Sequence, residues 1–338
     1  MVSLPMKMWI SNFKSMNNRI YSVDFAKVFT MFAVIFLHLH TVDGPIRPYL
    51  SAFTMPFFFT ISGMFHKYND VLTAAKRNFK RLIIPALFFL ILGTAFYSIL
   101  YGTESFPTCL RMSLKGVVLG KKMPGNNVIW FLFALFWDNI FLNMVIRRRY
   151  SILFLCIAYT ALIILPFPYR ILHISQGLFS FPFYLIGYLI GRTKLLSKLD
   201  DYKGTSLATV AFIGIFLLVV GSLLQPFNQG MSMHLCKTGE SIFWVKYPML
   251  YINGFIGTAG ILCISAVAPK LELTTHIAKE LIGVLGLQYL FMLIWDEYIG
   301  RDQHHTISFI GATGIYTLCL IINYFIAKYL PVVLGRSK

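Results

Sequence analysis

The sequence predicts an all-α, polytopic membrane protein with about ten transmembrane helices and both termini in the cytoplasm. Three features of the 338-residue chain lead to this fold class: 57% of the residues are hydrophobic, only 13% are charged, and 32 Phe and 18 Tyr add a large aromatic surface. A typical soluble domain carries about 25% charged residues. The composition therefore excludes a soluble enzyme, a disordered chain and a small secreted domain held by disulfides.

The number of spans follows from apolar runs long enough to cross a bilayer, which takes about 20 helical residues. Ten runs between polar breaks have roughly this length, namely 21–41, 49–66, 81–101, 127–146, 150–168, 172–191, 205–225, 243–268, 277–297 and 307–330. Since no internal repeat divides the chain, we predict one transmembrane domain over 21–330, a cytoplasmic segment at 1–20 and a cytoplasmic tail at 331–338. The longer connections 102–126 and 226–242 contain Gly and Pro and are predicted to be outer loops.

The excess of basic residues supports this orientation. Thirty Lys and Arg against 13 Asp and Glu give a formal charge of +17. With the N-terminus inside, 20 of the 30 basic residues fall in inner segments and 9 in outer segments, while Lys27 lies within the first span. This asymmetry is the positive-inside signal of a multi-pass protein. The charge therefore indicates membrane orientation, and no nucleic-acid partner is needed to explain it.

Three ionisable residues, Asp24, Lys27 and His38, lie in the first predicted span, where such groups are costly and usually functional. In an α-helix, the side chains of Lys27 and His38 project in directions that differ by about 20° around the axis, and the two residues lie about 16 Å apart along it. One interpretation is a polar passage in which the ammonium holds an anion and the imidazole acts as general base. The other is that Asp24 and Lys27 pair near one interface while His38 lies at the opposite boundary.

A second candidate site is the basic cluster at residues 76–81, KRNFKR, which precedes the third span. Clustered Lys and Arg suit phosphate oxygens, and such runs also serve as plain positive-inside anchors. In residues 51–65, Pro56 and the pair Ser62-Gly63 predict an irregular membrane helix with close packing or exposed backbone. The His and Asp residues near 296–305 lack the spacing of metal ligands, so no metal is expected.

The motifs within residues 19–90 resemble those of the membrane acyltransferase 3 superfamily, in its fucose 4-O-acetylase-like branch of sugar O-acetyltransferases. Lys27, ten residues and His38 are similar to the first-helix signature of that family, a basic residue followed at this distance by His. Residues 55–63, MPFFFTISG, are similar to its second-helix motif, and residues 80–85, KRLIIP, to the basic start of its third helix.

The resemblance implies transfer of an acyl group, usually acetyl from acetyl-CoA as co-substrate, to a hydroxyl of a cell-surface carbohydrate such as O-antigen or capsule. It implies that His38 is catalytic, with Lys27 at the basic position and Asp24 beside it. The implied partners are a carbohydrate acceptor, lipid-linked or on a surface glycan, and membrane lipid. The implied location is a bacterial inner membrane.

The resemblance also assigns roles outside the first span. The phosphates of the donor would meet the basic cluster, at Arg77, Lys80 and Arg81. Candidates for oxyanion or acceptor contacts are Ser62 and two residues at the start of the fourth span, Asn127 and Trp130.

Some positions depart from the family pattern: Lys27 stands where Arg is more common, Thr54 stands where this branch often has His, and residues 283–288 lack the late His of many members. Two alternatives stay open. One is a multi-span transporter or flippase of lipid-linked sugars, which buried charges in ten helices also suit. The other is a relative that uses a larger donor such as succinyl-CoA.

Overall fold

The computed structural model describes residues 20–39, 46–102, 104–147, 171–193, 195–228, 243–299 and 305–336. Within these ranges the chain forms helices and connecting turns, without a strand, which confirms the all-α class. Thirteen α-helices follow one another in the described chain: α1 Tyr21–His38, α2 Ile46–Met64, α3 Val71–Asn78, α4 Ile84–Tyr101, α5 Phe106–Leu119, α6 Trp130–Arg147, α7 Ile174–Gly191, α8 Leu195–Leu199, α9 Gly204–Leu224, α10 Phe243–Ser265, α11 Glu272–Lys279, α12 Leu281–Tyr298 and α13 His305–Tyr329.

In the described residues, eight helical stretches are long and apolar enough to cross a membrane, which confirms a polytopic membrane protein: Tyr21–His38, Val71–Tyr101, Asn127–Ile146, Ile171–Gly191, Gly204–Phe227, Pro248–Ser265, Leu281–Tyr298 and Ile307–Tyr329. They coincide with eight of the ten predicted spans. The span predicted at 150–168 lies outside the described residues. The span predicted at 49–66 is present as the 19-residue helix α2, which is not among these eight stretches. The orientation of the termini stays a prediction.

The helix α2 packs against α1, α7 and α10. Glycines let the backbones of α2 and α7 touch, because a Cβ at Gly63 would overlap the carbonyl of Tyr184 and a Cβ at Gly187 would overlap the carbonyl of Thr60. Such small-residue contacts are how membrane helices associate when lipid removes the hydrophobic driving force between them. The contact fixes the end of α2 against α7.

The helix α3 passes into α4 through a π-helical turn, Phe79–Ile83. The carboxylate of Asp70 caps α3 by accepting the Leu72 backbone N–H at 3.2 Å. Pro85 lies in the first turn of α4 and has no N–H for the helical ladder. A π turn holds more residues than an α turn, so the side chains after it are rotated from the 3.6-residue repeat. This rotation affects which basic side chains of residues 76–81 point into the bundle.

The structure corrects the prediction of a loop at 102–126. The helix α5 occupies most of that connection, with Pro107 in its first turn and Gly120, at φ 61°, directly after its last residue. Proline near the start and glycine past the end are boundary signals of a helix. Pro107, one of the residues that suggested a loop, therefore lies at the start of a helix. In the other predicted loop, 226–242, residues 229–242 lie outside the described ranges.

Gly187→Ala is expected to lower stability by about 2 kcal/mol, because its Cβ would meet a backbone oxygen that cannot move aside as a side chain would. The measurement is the melting temperature of the purified protein in detergent. Gly314→Ala is the matched control, since no heavy atom lies within 4 Å of a Cβ at that position. Equal melting temperatures for the two variants would contradict the proposed backbone contact.

Candidate functional site

A cavity of about 860 Å³ lies at the end of the bundle where α1 begins and α2 ends. Its walls come from α1, α2, α6, α7, the α3–α4 segment and the junction of α11 with α12. This volume lies within the usual range for small-molecule pockets, roughly 300–1,000 Å³. The cavity is the candidate functional site because it collects most of the ionisable residues that the sequence singles out.

The cavity is strongly basic. Five cationic side chains are among the described residues that line it: Lys27, Lys67, Arg77, Arg81 and Lys279. The same set contains one carboxylate, that of Asp24. Guanidinium groups bind phosphate oxygens through two parallel hydrogen bonds, and ammonium groups bind them as point charges. The arrangement therefore suits a ligand that carries several negative charges at one end.

Polar lining residues give way to apolar ones with depth on α1, on α2 and at the junction of α11 with α12. On α1, Lys27 lies near the start and Met31 one turn further in. On α2, Phe58 lies further in than Lys67, which follows the helix, and on α12, Leu285 lies further in than Lys279, which precedes the helix. Phe131 on α6 extends this apolar inner wall. The cavity thus has a cationic end at the rim of the bundle and an apolar end inside it.

The first predicted pair is present and faces the cavity. Lys27 Nζ lies 3.4 Å from Asp24 Oδ1, and the same ammonium lies 5.0 Å from the centroid of the Phe65 ring. The side chain of Asp24 is only 8% exposed and that of Lys27 is 24% exposed. Asp24 and Lys27 therefore form an ion pair and also line the cavity. The sequence had offered these two roles as alternatives.

The start of α1 is held by a residue that sequence reasoning missed. Both carboxylate oxygens of Asp200 accept backbone N–H groups in the first turn, from Tyr21 at 2.6 Å and from Ser22 at 3.0 Å. A carboxylate at a helix N-terminus satisfies free donors and complements the helix dipole. This contact fixes the part of α1 that carries Lys27.

One wall of the cavity is a neutral hydrogen-bonded network that the sequence analysis also missed. Asn139 Nδ2 donates to the Tyr184 hydroxyl and to His66 Nδ1, both at 3.1 Å, and the Tyr184 hydroxyl lies 2.9 Å from the same His66 nitrogen. Asn78 Nδ2 donates to Asn139 Oδ1 at 2.5 Å. Since His66 Nδ1 accepts hydrogen bonds, the ring is neutral. The Asn residues of α6 at 139 and 143 were the available signal, because polar residues within a predicted span require partners.

The pKa of His66, which lies beyond the end of α2, agrees with this network. Burial of the ring, followed by the positive charge of Arg77, lowers the pKa of His66 from 6.5 to about 4. At neutral pH the imidazole therefore adds no further positive charge to the basic wall.

His38 lies beyond the inner end of the cavity. It follows Met31, the last cavity residue of α1, by seven residues or about 10 Å of helix. His38 Nδ1 lies 2.6 Å from the Val34 carbonyl oxygen. Because a carbonyl only accepts, Nδ1 is the donor of this hydrogen bond, and in the neutral ring Nε2 then carries the lone pair that a general base requires. The catalytic role of His38 stays a prediction.

The remaining predicted residues divide between the cavity and its surroundings. Ser62, Arg77 and Arg81 line the cavity, whereas Lys80 is exposed outside the lining. Asn127 Oδ1 accepts the Met123 backbone N–H at 3.3 Å. Trp130 is buried and packs against the Phe59 and Phe131 rings. The structure therefore does not bring Lys80, Asn127, Trp130 or His38 to the cavity wall, and their roles stay predictions.

A family model of the acyltransferase 3 type, described as an acyltransferase domain, matches residues 20–328. No curated protein and no solved structure matches the chain. The match covers the whole set of cavity-lining residues, from Ile20 to Leu285.

The neutral network predicts that acid destabilises the protein through His66. The pKa of His66 in the folded state, about 4, lies below the ordinary value of 6.5. The stability that depends on its neutral ring is therefore complete above pH 6.5 and is lost as the pH falls towards 4. We expect His66→Gln to flatten the fall in melting temperature over this pH interval, with the exposed His276→Gln as control for the loss of one imidazole. The same pH profile in parent and His66→Gln would refute the assignment.

Proposed function

The chain belongs to the acyltransferase 3 family, and we propose that it transfers an acetyl group from acetyl-CoA to a hydroxyl of a cell-surface polysaccharide sugar, such as O-antigen or capsule, in a bacterial inner membrane. The observation that carries this proposal is the polarity of the cavity, which is cationic at the rim and apolar inside. Acetyl-CoA has the matching polarity, with phosphates at one end and an uncharged arm that ends in the thioester at the other.

The phosphates of the donor would bind at the cationic end. Arg77 and Arg81 offer planar donor groups for phosphate oxygens, and Lys27, Lys67 and Lys279 surround them with point charges. Binding of a multiply charged anion would also remove the repulsion among these cations. In this proposal Lys67 and Lys279 take the place in the donor site that the sequence pattern assigned to Lys80.

The acyl arm would extend from the cationic end along α1 towards His38. The rise from Lys27 to His38 is about 16 Å, which is comparable with the reach from the pyrophosphate to the thioester in coenzyme A. Met31 belongs to the apolar part of the lining and is its last residue on α1 before His38. In this proposal the donor reaches His38 once the inner wall around Met31 opens on binding.

The proposed chemistry uses the lone pair on His38 Nε2. This nitrogen takes the proton of the acceptor hydroxyl while the hydroxyl oxygen attacks the carbonyl carbon of the thioester. The tetrahedral intermediate then collapses, the carbon–sulfur bond breaks, and the departing thiolate takes the proton from His38. A second route, through an acetyl group held briefly on Nε2, also needs the neutral ring.

Two observations weigh against the alternatives. The family is one of acyltransferases, which favours group transfer over the flippase of lipid-linked sugars. The described inner wall of the cavity, which is lined by Met31, Phe58, Phe131, Leu132, Leu135 and Leu285, offers no cation for a second carboxylate. This favours acetyl over succinyl as the acyl group, because the carboxylate of a succinyl arm would have to pass this wall unpaired on the way to His38.

His38→Ala is expected to lower O-acetyl transfer at least about 100-fold, because no other group would take the hydroxyl proton. The measurement is incorporation of labelled acetyl from acetyl-CoA into surface glycan by membranes that contain equal amounts of each protein. His276→Ala, which removes an exposed imidazole on α11, is the control. Retained transfer by a well-expressed His38→Ala variant would reject the mechanism.

Arg81→Ala is expected to raise the KM for acetyl-CoA about tenfold, which corresponds to the loss of one charge-assisted contact with phosphate. The kcat should change little, because Arg81 lies far along the bundle from the reacting atoms. Lys198→Ala, which removes an exposed cation on α8, is the control for overall charge. An unchanged KM would count against phosphate binding at this end of the cavity.

A further inference from the structure

Residues 331–336 are part of the predicted cytoplasmic tail, yet they pack onto the bundle. The helix α13 ends at Tyr329, and Pro331–Leu334 form a short 3₁₀ turn. Leu334 is only 4% exposed and belongs to the main hydrophobic core. This anchored turn brings the next two residues to the rim of the cavity.

Gly335 lies against the π turn that carries Arg81. Its φ of 70° is in the left-handed region that favours glycine. A Cβ at Gly335 would come within 2.6 Å of Arg81 Cα and within 2.9 Å of the Lys80 carbonyl oxygen. Backbone conformation and backbone contact thus both require glycine here, and the end of the chain supports the backbone from which the Arg81 side chain projects.

Arg336 reaches the other basic part of the rim. Its guanidinium donates to Glu280 Oε2 at 2.8 Å and to the Lys279 carbonyl oxygen at 3.2 Å. Glu280 Oε2 also accepts a hydrogen bond from Asn323 Nδ2 of α13 at 2.5 Å. The junction of α11 with α12, which carries Lys279, is therefore tied to the same terminal segment.

We propose that residues 331–336, the C-terminal clasp, set the positions of Arg81 and Lys279 in the cavity wall, so that Gly335 and Arg336 are positioning residues for the phosphates of an acyl-CoA donor. The identity of that ligand rests on the proposed function, while the contacts of the clasp do not. The clasp acts through backbone that carries the cations and touches no reacting atom. Its loss therefore affects donor binding and leaves the chemical step intact.

The first test compares two glycines with similar backbone conformation. Gly335→Ala adds a Cβ against the Arg81 backbone, whereas Gly204→Ala, at φ 55°, adds a Cβ with no heavy atom within 4 Å. We expect Gly335→Ala to raise the KM for acetyl-CoA about fivefold with kcat within about twofold of the parent, and Gly204→Ala to change neither. Equal KM values for both variants would overturn the clasp.

A double variant separates positioning from general damage. If Gly335 acts through Arg81, Gly335→Ala should add no further increase in KM when Arg81 is already Ala, because residues that act through one contact are not additive. Arg336→Lys should raise the KM for acetyl-CoA less than Arg336→Gln does, because lysine retains a cation beside Glu280. Additive effects of Gly335→Ala and Arg81→Ala, or equal effects of the two Arg336 variants, would show that the clasp does not position the site.

Amide hydrogen exchange tests the clasp without the proposed reaction. In the unliganded protein, the amides of residues 79–83 should exchange faster in Gly335→Ala than in Gly204→Ala, because the π turn has lost its support. If membranes that contain the parent protein transfer no acetyl group, the proposed function is wrong. The exchange measurement still tests the clasp in that case, because it does not depend on the reaction. Equal exchange in the two variants would overturn it.

Discussion

The mutual repulsion of positive charges is the constraint on which the rest of this structure depends. Five cations and one carboxylate are among the described residues around a single cavity. Two like charges 8 Å apart repel by about 2 kcal/mol at an effective dielectric constant of 20. Such a group can exist only at the end of the bundle, where water reaches it, and only on a frame that prevents the helices from moving apart. An anionic ligand would relieve the repulsion.

The frame is built from contacts that add no charge. The backbones of α2 and α7 touch through Gly63 and Gly187, which leaves no room for either helix to shift without disturbing the other. Burial and the charge of Arg77 keep His66 neutral in its network with Asn139 and Tyr184, so a titratable residue forms part of a basic wall without contributing to its repulsion. Such a neutral network stiffens the wall, because each bonded group would be costly to bury without its partner.

The helix α1 joins the two ends of the proposed reaction. Its start carries Lys27 at the cationic end, and its last residue is His38, beyond the apolar inner wall. On the proposed function, the apolar inner wall that contains Met31 separates the resting donor site from the base. Such a barrier would protect the thioester from water until the acceptor is in place. A structural step between donor binding and transfer follows from this arrangement.

The sequence by itself determined the membrane class and eight of the ten spans, because hydrophobic run length is a local property of a chain. The shared face of Lys27 and His38 follows from the helical period and stays a prediction. The α5 helix was misjudged since Pro107 and Gly120 suit a loop as well as a helix boundary. Only the tertiary structure decided which cations face the cavity. Lys80 and Arg81 are neighbours in a π turn, whose geometry departs from the 3.6-residue repeat of an α-helix. Lys67, Lys279 and the His66 network come from distant segments of the chain, which only packing brings together.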